Sequence, residues 1–260
     1  MKYNKLLITA VILIIALLSG CKGKEKNTDE TSQNPANHTE TEPIKIPVSD
    51  KKLLTKITYP EEASYSISIE YDDKDRISRF IESWTSSDDG SIMTNERNII
   101  YDDDMIVTFT DENTEGETTD FGLTADGIDA YTRGQHFFGV MSLTEAGFLD
   151  TWGDEDGTTT YHYENGNMTK TVDNDEGNTT IVFKYDDKKS PFLNCLTPRW
   201  FLQFFFGNYF GYKNNVTEAI GYTFTYEYDK DGFPTKRTAK TSDDDYRSVR
   251  SKVAVFTYNR

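Results

Sequence analysis

One unit recurs through this chain and narrows what it can fold into: an alternating run of apolar and polar residues that ends in an aromatic side chain and passes into an acidic turn. It appears as SISIEYDDKDRIS (Ser66 to Ser78), NIIYDDDMIV (Asn98 to Val107), YHYENGNMTK (Tyr161 to Lys170), IVFKYDDKKS (Ile181 to Ser190), FTYEYDKDGFP (Phe224 to Pro234) and VFTYNR (Val255 to Arg260). Two looser copies are GLTADGID from Gly122 and SLTEAGFLD from Ser142. With Tyr71, Tyr101, Leu123, Leu143, Tyr163, Tyr185, Tyr228 and Tyr258 as landmarks, the spacings are 30, 22, 20, 20, 22, 43 and 30 residues. A period near 20 is one hairpin, two strands of about 5–7 residues with their turns.

The runs are amphipathic at period two. Tyr65, Ile67, Ile69 and Tyr71 share one face, with Ser64, Ser66, Ser68 and Glu70 on the other. Tyr222, Phe224, Tyr226 and Tyr228 oppose Thr223, Thr225 and Glu227 in the same way. One apolar face at this period specifies a half-buried antiparallel sheet. Asp-Asp-Lys-Asp, Asp-Lys-Asp-Gly and Glu-Asn-Gly-Asn supply the left-handed positions and side-chain caps of hairpin turns. The expected fold is all-β: a long antiparallel up-and-down meander of a dozen or more strands, curled into a barrel or half-barrel to manage its edges. Glu, Lys, Arg and Asp in mid-strand argue against a lipid-facing outer surface.

One segment departs from the pattern. Residues 191–216 (PFLNCLTPRWFLQFFFGNYFGYKNNV) form an aromatic-rich excursion, and the spacing of Phe201, Phe205 and Tyr209 predicts a short helix from about Pro198 to Phe206. The expected role is a plug at one end of the curled sheet. The sharper reading places Trp200, Phe201 and Phe205 at the mouth of a ligand cavity.

The amino terminus carries a different message. Lys2 and Lys5 precede an apolar run from Leu6 to Leu18, and Leu18-Ser19-Gly20-Cys21 follows. The run is too short to span a bilayer, which takes about 20 apolar residues, and the pattern is that of a cleaved signal. The expectation is a lipoprotein: residues 1–20 are the signal peptide, Leu18, Ser19 and Gly20 its recognition site, and Cys21 the lipidated residue. Several acyl chains at about 0.8 kcal/mol per buried methylene make a stable anchor. Residues 21–52 then read as the lipidated cysteine and a flexible polar tether, and residues 53–260 as a single β domain. Lys22 is not the aspartate of an inner-membrane retention signal, so the outer membrane is the expected address.

The formal net charge is −16, and such a chain repels nucleic acid, which demands basic patches. The second cysteine, Cys195, lies in an apolar stretch and is expected to be a buried small hydrophobe.

The units at Tyr71 to Ile77 and Tyr228 to Phe233 resemble the tyrosine-aspartate repeats of surface and secreted bacterial proteins. Together with the lipobox, the tether and the excursion from Ser190-Pro191-Phe192 to Asn214-Asn215, the chain from Leu53 to Arg260 resembles a domain of unknown function described as porin-like in fold, found in lipoproteins of Gram-negative gut anaerobes. That resemblance implies architecture and carries over no catalytic or binding residue. The copies at Leu123 and Leu143 lack its Tyr-Asp pair.

Chemistry is sparse. Asp173-Asn-Asp175-Glu-Gly177-Asn and Asp154-Glu-Asp156-Gly157 superficially resemble calcium loops, but neither continues into the spaced ligands of an EF-hand, so both are read as turns. His38, His136 and His162 form no metal-ligand spacing, and neither a Gly-x-Ser-x-Gly element nor a phosphate-binding loop occurs. Trp84, Trp152 and Trp200 are candidates for stacking on sugars. The expectation is a non-catalytic protein without cofactor or metal. Its expected partners are the membrane, through its anchor, and a small apolar or glycan ligand; the alternative is a structural or assembly role, docking an envelope protein.

Overall fold

A computed structural model describes residues 51–61, 64–102, 105–111, 117–124, 127–132, 140–153, 157–174, 179–206, 212–241 and 252–259. The signal and lipobox residues Leu18, Ser19, Gly20 and Cys21, the tether as far as residue 50, His136 and the acidic runs Asp154–Asp156 and Asp175–Gly177 lie outside them. The described residues are all-β with one short helix. In chain order the strands are β1 (Leu54–Tyr59), β2 (Tyr65–Tyr71), β3 (Ile77–Thr85), β4 (Ile92–Asp102), β5 (Met105–Asp111), β6 (Glu117–Thr124), β7 (Gly127–Thr132), β8 (Val140–Leu143) and β9 (Leu149–Gly153). They continue with β10 (Thr158–Glu164), β11 (Asn167–Asp173), β12 (Thr180–Val182), β13 (Lys184–Tyr185), helix α1 (Arg199–Phe206), β14 (Val216–Ala219), β15 (Tyr222–Tyr228), β16 (Pro234–Thr241) and β17 (Val253–Tyr258).

The strands form one 17-stranded sheet of antiparallel neighbours. Strands β12 and β13, either side of Phe183, are two halves of one pass: β12 pairs with β11 and β13 with β14. The last strand returns to the first, because β1 pairs with β17 (Ile57 opposite Phe256) as well as with β2 (Ile57 opposite Ile67). The chain therefore makes an even number of passes, which an antiparallel ring of pairings requires.

The inner face holds one hydrophobic core, built from Leu54, Ile57, Ile69, Ile77, Phe80, Ile106, Ile128, Met141, Met168, Phe224 and Phe256 among others. The outer face is polar: Glu70, His162, Glu164, Glu218, Thr223 and Glu227 are all exposed. Cross-strand ion pairs lie on that face, Lys184 with Glu218 at 2.8 Å, Lys236 with Glu227 at 2.8 Å, and Arg79 with Glu96. Exposed pairs like these contribute little to stability.

The repeat has a structural cause. All its landmarks end strands that run toward the same rim, called here the tyrosine rim. At Tyr71, Tyr101, Leu143, Tyr163, Tyr185 and Tyr228 the register slips by one residue, so the returning strand carries a β-bulge. A seventh slip lies on β1, opposite Thr257 and Tyr258. The extra residue sits near the start of the strand: Thr55, Ser78, Asp150, Thr169, Thr217 or Thr235 in six of the seven cases. Three of these threonines donate their hydroxyl to the carbonyl just before the landmark, Thr55 to Thr257 at 3.1 Å, Thr169 to His162 at 3.2 Å and Thr235 to Glu227 at 3.2 Å. Bulges add local twist, which lets a long sheet curl.

The aspartate after the tyrosine caps the turn. Asp72 Oδ1 accepts from the Lys74 and Arg76 amides, both at 2.9 Å, and Asp229 Oδ1 from the Asp231 and Phe233 amides at 2.9 and 3.0 Å. Each turn places a left-handed residue three positions on, Asp75 at φ 60° and Gly232 at φ 81°. The looser copy at Leu143 is the same turn with Thr144 in the aspartate's place: Phe148 N donates to Thr144 Oγ1 at 3.2 Å, and Gly147 takes φ 75°.

Candidate functional site

The segment between β13 and β14 leaves the tyrosine rim, packs inside the sheet and returns to the same rim. Backbone bonds tie it to the turns around it. Lys189 N donates to Gly232 O, Leu196 N to Asp75 O, Trp200 N to Gly147 O and Lys213 N to Gly166 O, at 2.9 to 3.2 Å. Thr197 Oγ1 accepts from the Ile77 amide at 2.7 Å, and Asn194 Nδ2 donates to Lys52 O at 3.0 Å. Pro198 O accepts from the Phe201 and Leu202 amides, which starts α1. A helix apolar on nearly all sides belongs in an interior, and this one buries Trp200, Phe201, Leu202 and Gln203.

Of the three residues read as lining a ligand mouth, Trp200 and Phe201 are each 1% exposed and sit in the core. Their rings meet edge-on at 5.7 Å. Phe205, one turn on, is only half-buried; it stacks on Phe201 at 5.8 Å and meets Phe80 at 4.0 Å. Gln203 fixes the helix to the wall, accepting from the Leu149 amide at 3.1 Å and donating to the hydroxyls of Tyr163 and Tyr212 at 2.7 and 3.2 Å. Cys195 is buried, as expected of a small hydrophobe, and desolvation pushes its thiol pKa up.

Sequence reasoning missed a second group, on the inner face of β2, β3 and β4 away from the tyrosine rim. Glu82 pairs with Arg97 and accepts from the Tyr65 hydroxyl. Asn95 stands opposite Glu82 in the register and is fully buried. The Arg97 guanidinium lies over the rings of Phe80 and Phe205 at 5.5 and 5.4 Å. Trp84 follows two residues after Glu82 on the same face of β3, half-buried, and Trp152 meets Phe204 edge-on at 6.4 Å. Phe205 thus lies at the foot of a row of planar hydrogen-bonding groups on β3 and β4 that runs from Phe80 toward the opposite rim. The period-two pattern does place Glu82, Asn95 and Arg97 on the apolar face; what it lacks is any sign that they meet.

Burial raises the pKa of the inward tyrosines Tyr71, Tyr101, Tyr161, Tyr163 and Tyr258. Among the described residues no group of three or more His, Cys, Asp or Glu converges as a metal site, and His162 is exposed on the outer face.

No family model and no curated protein matches this chain. Among solved structures it is similar to a porin-like protein from Bacteroides uniformis, at 16% identity and a TM-score of 0.53 over 79% of this chain and 97% of that one. At that identity the likeness speaks for the fold alone: the porin-like architecture that the resemblance implies.

Proposed function

We propose that this protein is a non-catalytic binding module, held at the outer membrane through acylated Cys21, whose domain is a closed, plugged barrel standing in water. Two observations on the strands support that form. The pairings return from β17 to β1, and the faces are apolar inside and polar outside, the reverse of a membrane-spanning barrel, whose lipid-facing band is apolar and whose lumen is polar. Barrels of about 16 strands leave an aqueous lumen; here the α1 segment fills the end at the tyrosine rim.

The ligand we infer is a small neutral glycan, held against the half-buried rings of Phe205 and Trp84 and hydrogen-bonded at the edge of the Glu82–Arg97 pair. The observation that carries this is the burial of the Glu82–Arg97 pair beside a half-exposed ring. An apolar ligand would strip remaining solvent from that pair and return no hydrogen bonds, at a net cost. A sugar offers both hydroxyls and an apolar ring face. Calorimetric titration with neutral oligosaccharides tests it. Binding that disappears in Trp84→Ala and Arg97→Met, with each variant still folded by circular dichroism, supports the reading. Absence of binding across such a panel, with an apolar ligand captured instead, contradicts it.

A further inference from the structure

The strand register carries one row of inner-face side chains across the sheet from β15 to β4. Tyr226 stands opposite Arg237, Arg237 opposite Ala254, Tyr59 opposite Tyr65 and Trp84 opposite Met93. One step beyond the pairs Thr58–Val255 and Ser66–Ser83, Tyr59 falls beside Ala254 and Tyr65 beside Trp84. Counted from the landmark tyrosine of its own strand, Tyr226 is two residues from Tyr228, Ala254 four from Tyr258, Tyr65 six from Tyr71 and Met93 eight from Tyr101. The row is therefore a ramp that climbs away from the tyrosine rim, two residues per hairpin.

Exposure grades along that ramp. Arg237 and Ala254 are buried, Ala254 completely. Tyr59, Tyr65 and Trp84 are half-buried, and Met93 is 45% exposed. The Tyr59 and Tyr65 rings lie 5.5 Å apart. The Tyr65 hydroxyl donates to Glu82, two residues before Trp84 on the same face of β3, so the polar pair lies directly beneath the rings. Neighbouring strands are about 4.8 Å apart, so the four side chains from Tyr59 to Met93 span about 14 Å, roughly the length of three linked sugar rings.

From this graded ramp we infer that the glycan is held by its chain end. A linear neutral oligosaccharide lies across the rings of Tyr59, Tyr65 and Trp84; its last residue stops where Ala254 and Arg237 close the row, and its continuation leaves past Met93. A single sugar covers one ring of the row and leaves the rest unused. A chain bound at mid-length needs a row open at both ends, and this one is closed at β16 and β17. Ring faces hold the apolar faces of successive sugars, and the unbranched thioether of Met93 adapts to the chain that leaves over it. The inference deepens the glycan reading of this site and rests on it.

The test is calorimetric titration of the full-length protein with linear neutral oligosaccharides of increasing length. The expected result is affinity about tenfold higher for three sugar residues than for one, and level beyond four. A poly(ethylene glycol) chain fixed to one terminus of the four-residue ligand should abolish binding, and the same chain at the other terminus should leave it unchanged. Tolerance at both termini shows a chain lying across the site, and loss at both shows a ligand wholly enclosed; either overturns the inference. Met93→Ser, at an exposed position where the fold is not at risk, should lower affinity for the four-residue chain about threefold and leave the two-residue chain unchanged. An equal effect on both lengths, or on neither, overturns the direction of the ramp. Affinity independent of length overturns the inference and leaves the glycan reading standing, whereas binding of no neutral sugar removes that reading and the inference with it.

Discussion

The phenolic hydroxyl of Tyr101 donates to the main-chain carbonyl of Ile77 at 2.7 Å. The same bond recurs from Tyr71 to Leu54 at 2.8 Å, Tyr163 to Leu149 at 2.6 Å, Tyr226 to Val216 at 2.8 Å and Tyr258 to Pro234 at 2.9 Å. In every case the acceptor is the first residue of the preceding strand, whose carbonyl lies beside the bulge or the turn. At Tyr71, Tyr101, Tyr163 and Tyr258 the repeated tyrosine is thus both core packing and a latch on the start of its neighbour. Replacing Tyr101 by Phe keeps the ring and orphans that carbonyl, so about 1–2 kcal/mol of stability should be lost. Denaturant midpoints of Tyr101→Phe and Tyr258→Phe check it; unchanged midpoints in both would show that the ring alone matters.

The aspartate after the tyrosine should be as important as the tyrosine. Asp72 accepts two amides and pairs with Arg76 at 2.7 Å. Asp72→Ala should cost about 1–3 kcal/mol, since it leaves amides of a tight turn unsatisfied. Asp72→Asn, which keeps an acceptor but loses the charge, should cost less. Thermal melts that rank the two the other way would refute the capping role.

Acid should loosen the tyrosine rim through Asp229. Partial burial works to raise its pKa, but the Lys52 ammonium and the Phe233 and Asp231 amides outweigh that and hold it below the usual carboxylate range. A depressed folded pKa gives stability that is present above the unfolded value near 3.9 and is lost as pH falls through the folded one. Stability measured from pH 6 to pH 2 should therefore drop less steeply in Asp229→Asn than in the wild type. Parallel curves would remove Asp229 from the account.

Alkali should act through the buried tyrosines. Desolvation raises their folded pKa values above the ordinary value near 10. Their contribution is complete below that value and is lost as pH rises beyond it. Absorbance at 295 nm should thus show some phenols ionising normally and the rest only in a cooperative step that coincides with loss of circular dichroism. A single smooth titration with the fold intact would contradict the burial.

Gln203 tests the plug. Its side chain is 3% exposed and serves a wall amide and two phenols. Gln203→Leu fills the space but leaves the Leu149 amide unpaired, at about 1–3 kcal/mol, and should speed hydrogen exchange at Leu149 and along α1. Exchange unchanged there would mean that the helix is held by its ring contacts alone.

Much of this architecture is legible in the residues, because hairpins are local. Alternation around Ile67 and Phe224 gives the strands and their faces, and the Tyr-Asp pairs give the turns. The copy at Leu143 hides its turn, since Thr144 caps as Asp72 does without the acidic signature. Trp200 and Phe201 show why an aromatic cluster does not by itself mark a ligand mouth: hydropathy is the same whether the opposing surface is ligand or wall. The Glu82–Arg97 pair joins adjacent strands through a register that no local pattern states. The return of β17 to β1 depends on the twist summed over every bulge, a property no window of sequence contains.

The most direct test of the central claim, a plugged barrel with its outer face in water, is sedimentation velocity of residues 48–260, a compact unit by itself, in buffer without detergent. A discrete, stable, folded species that adds no conductance to a planar bilayer is the predicted result. Aggregation relieved only by detergent, with single-channel conductance on reconstitution, would contradict it and make the polar outer strands the feature in need of explanation.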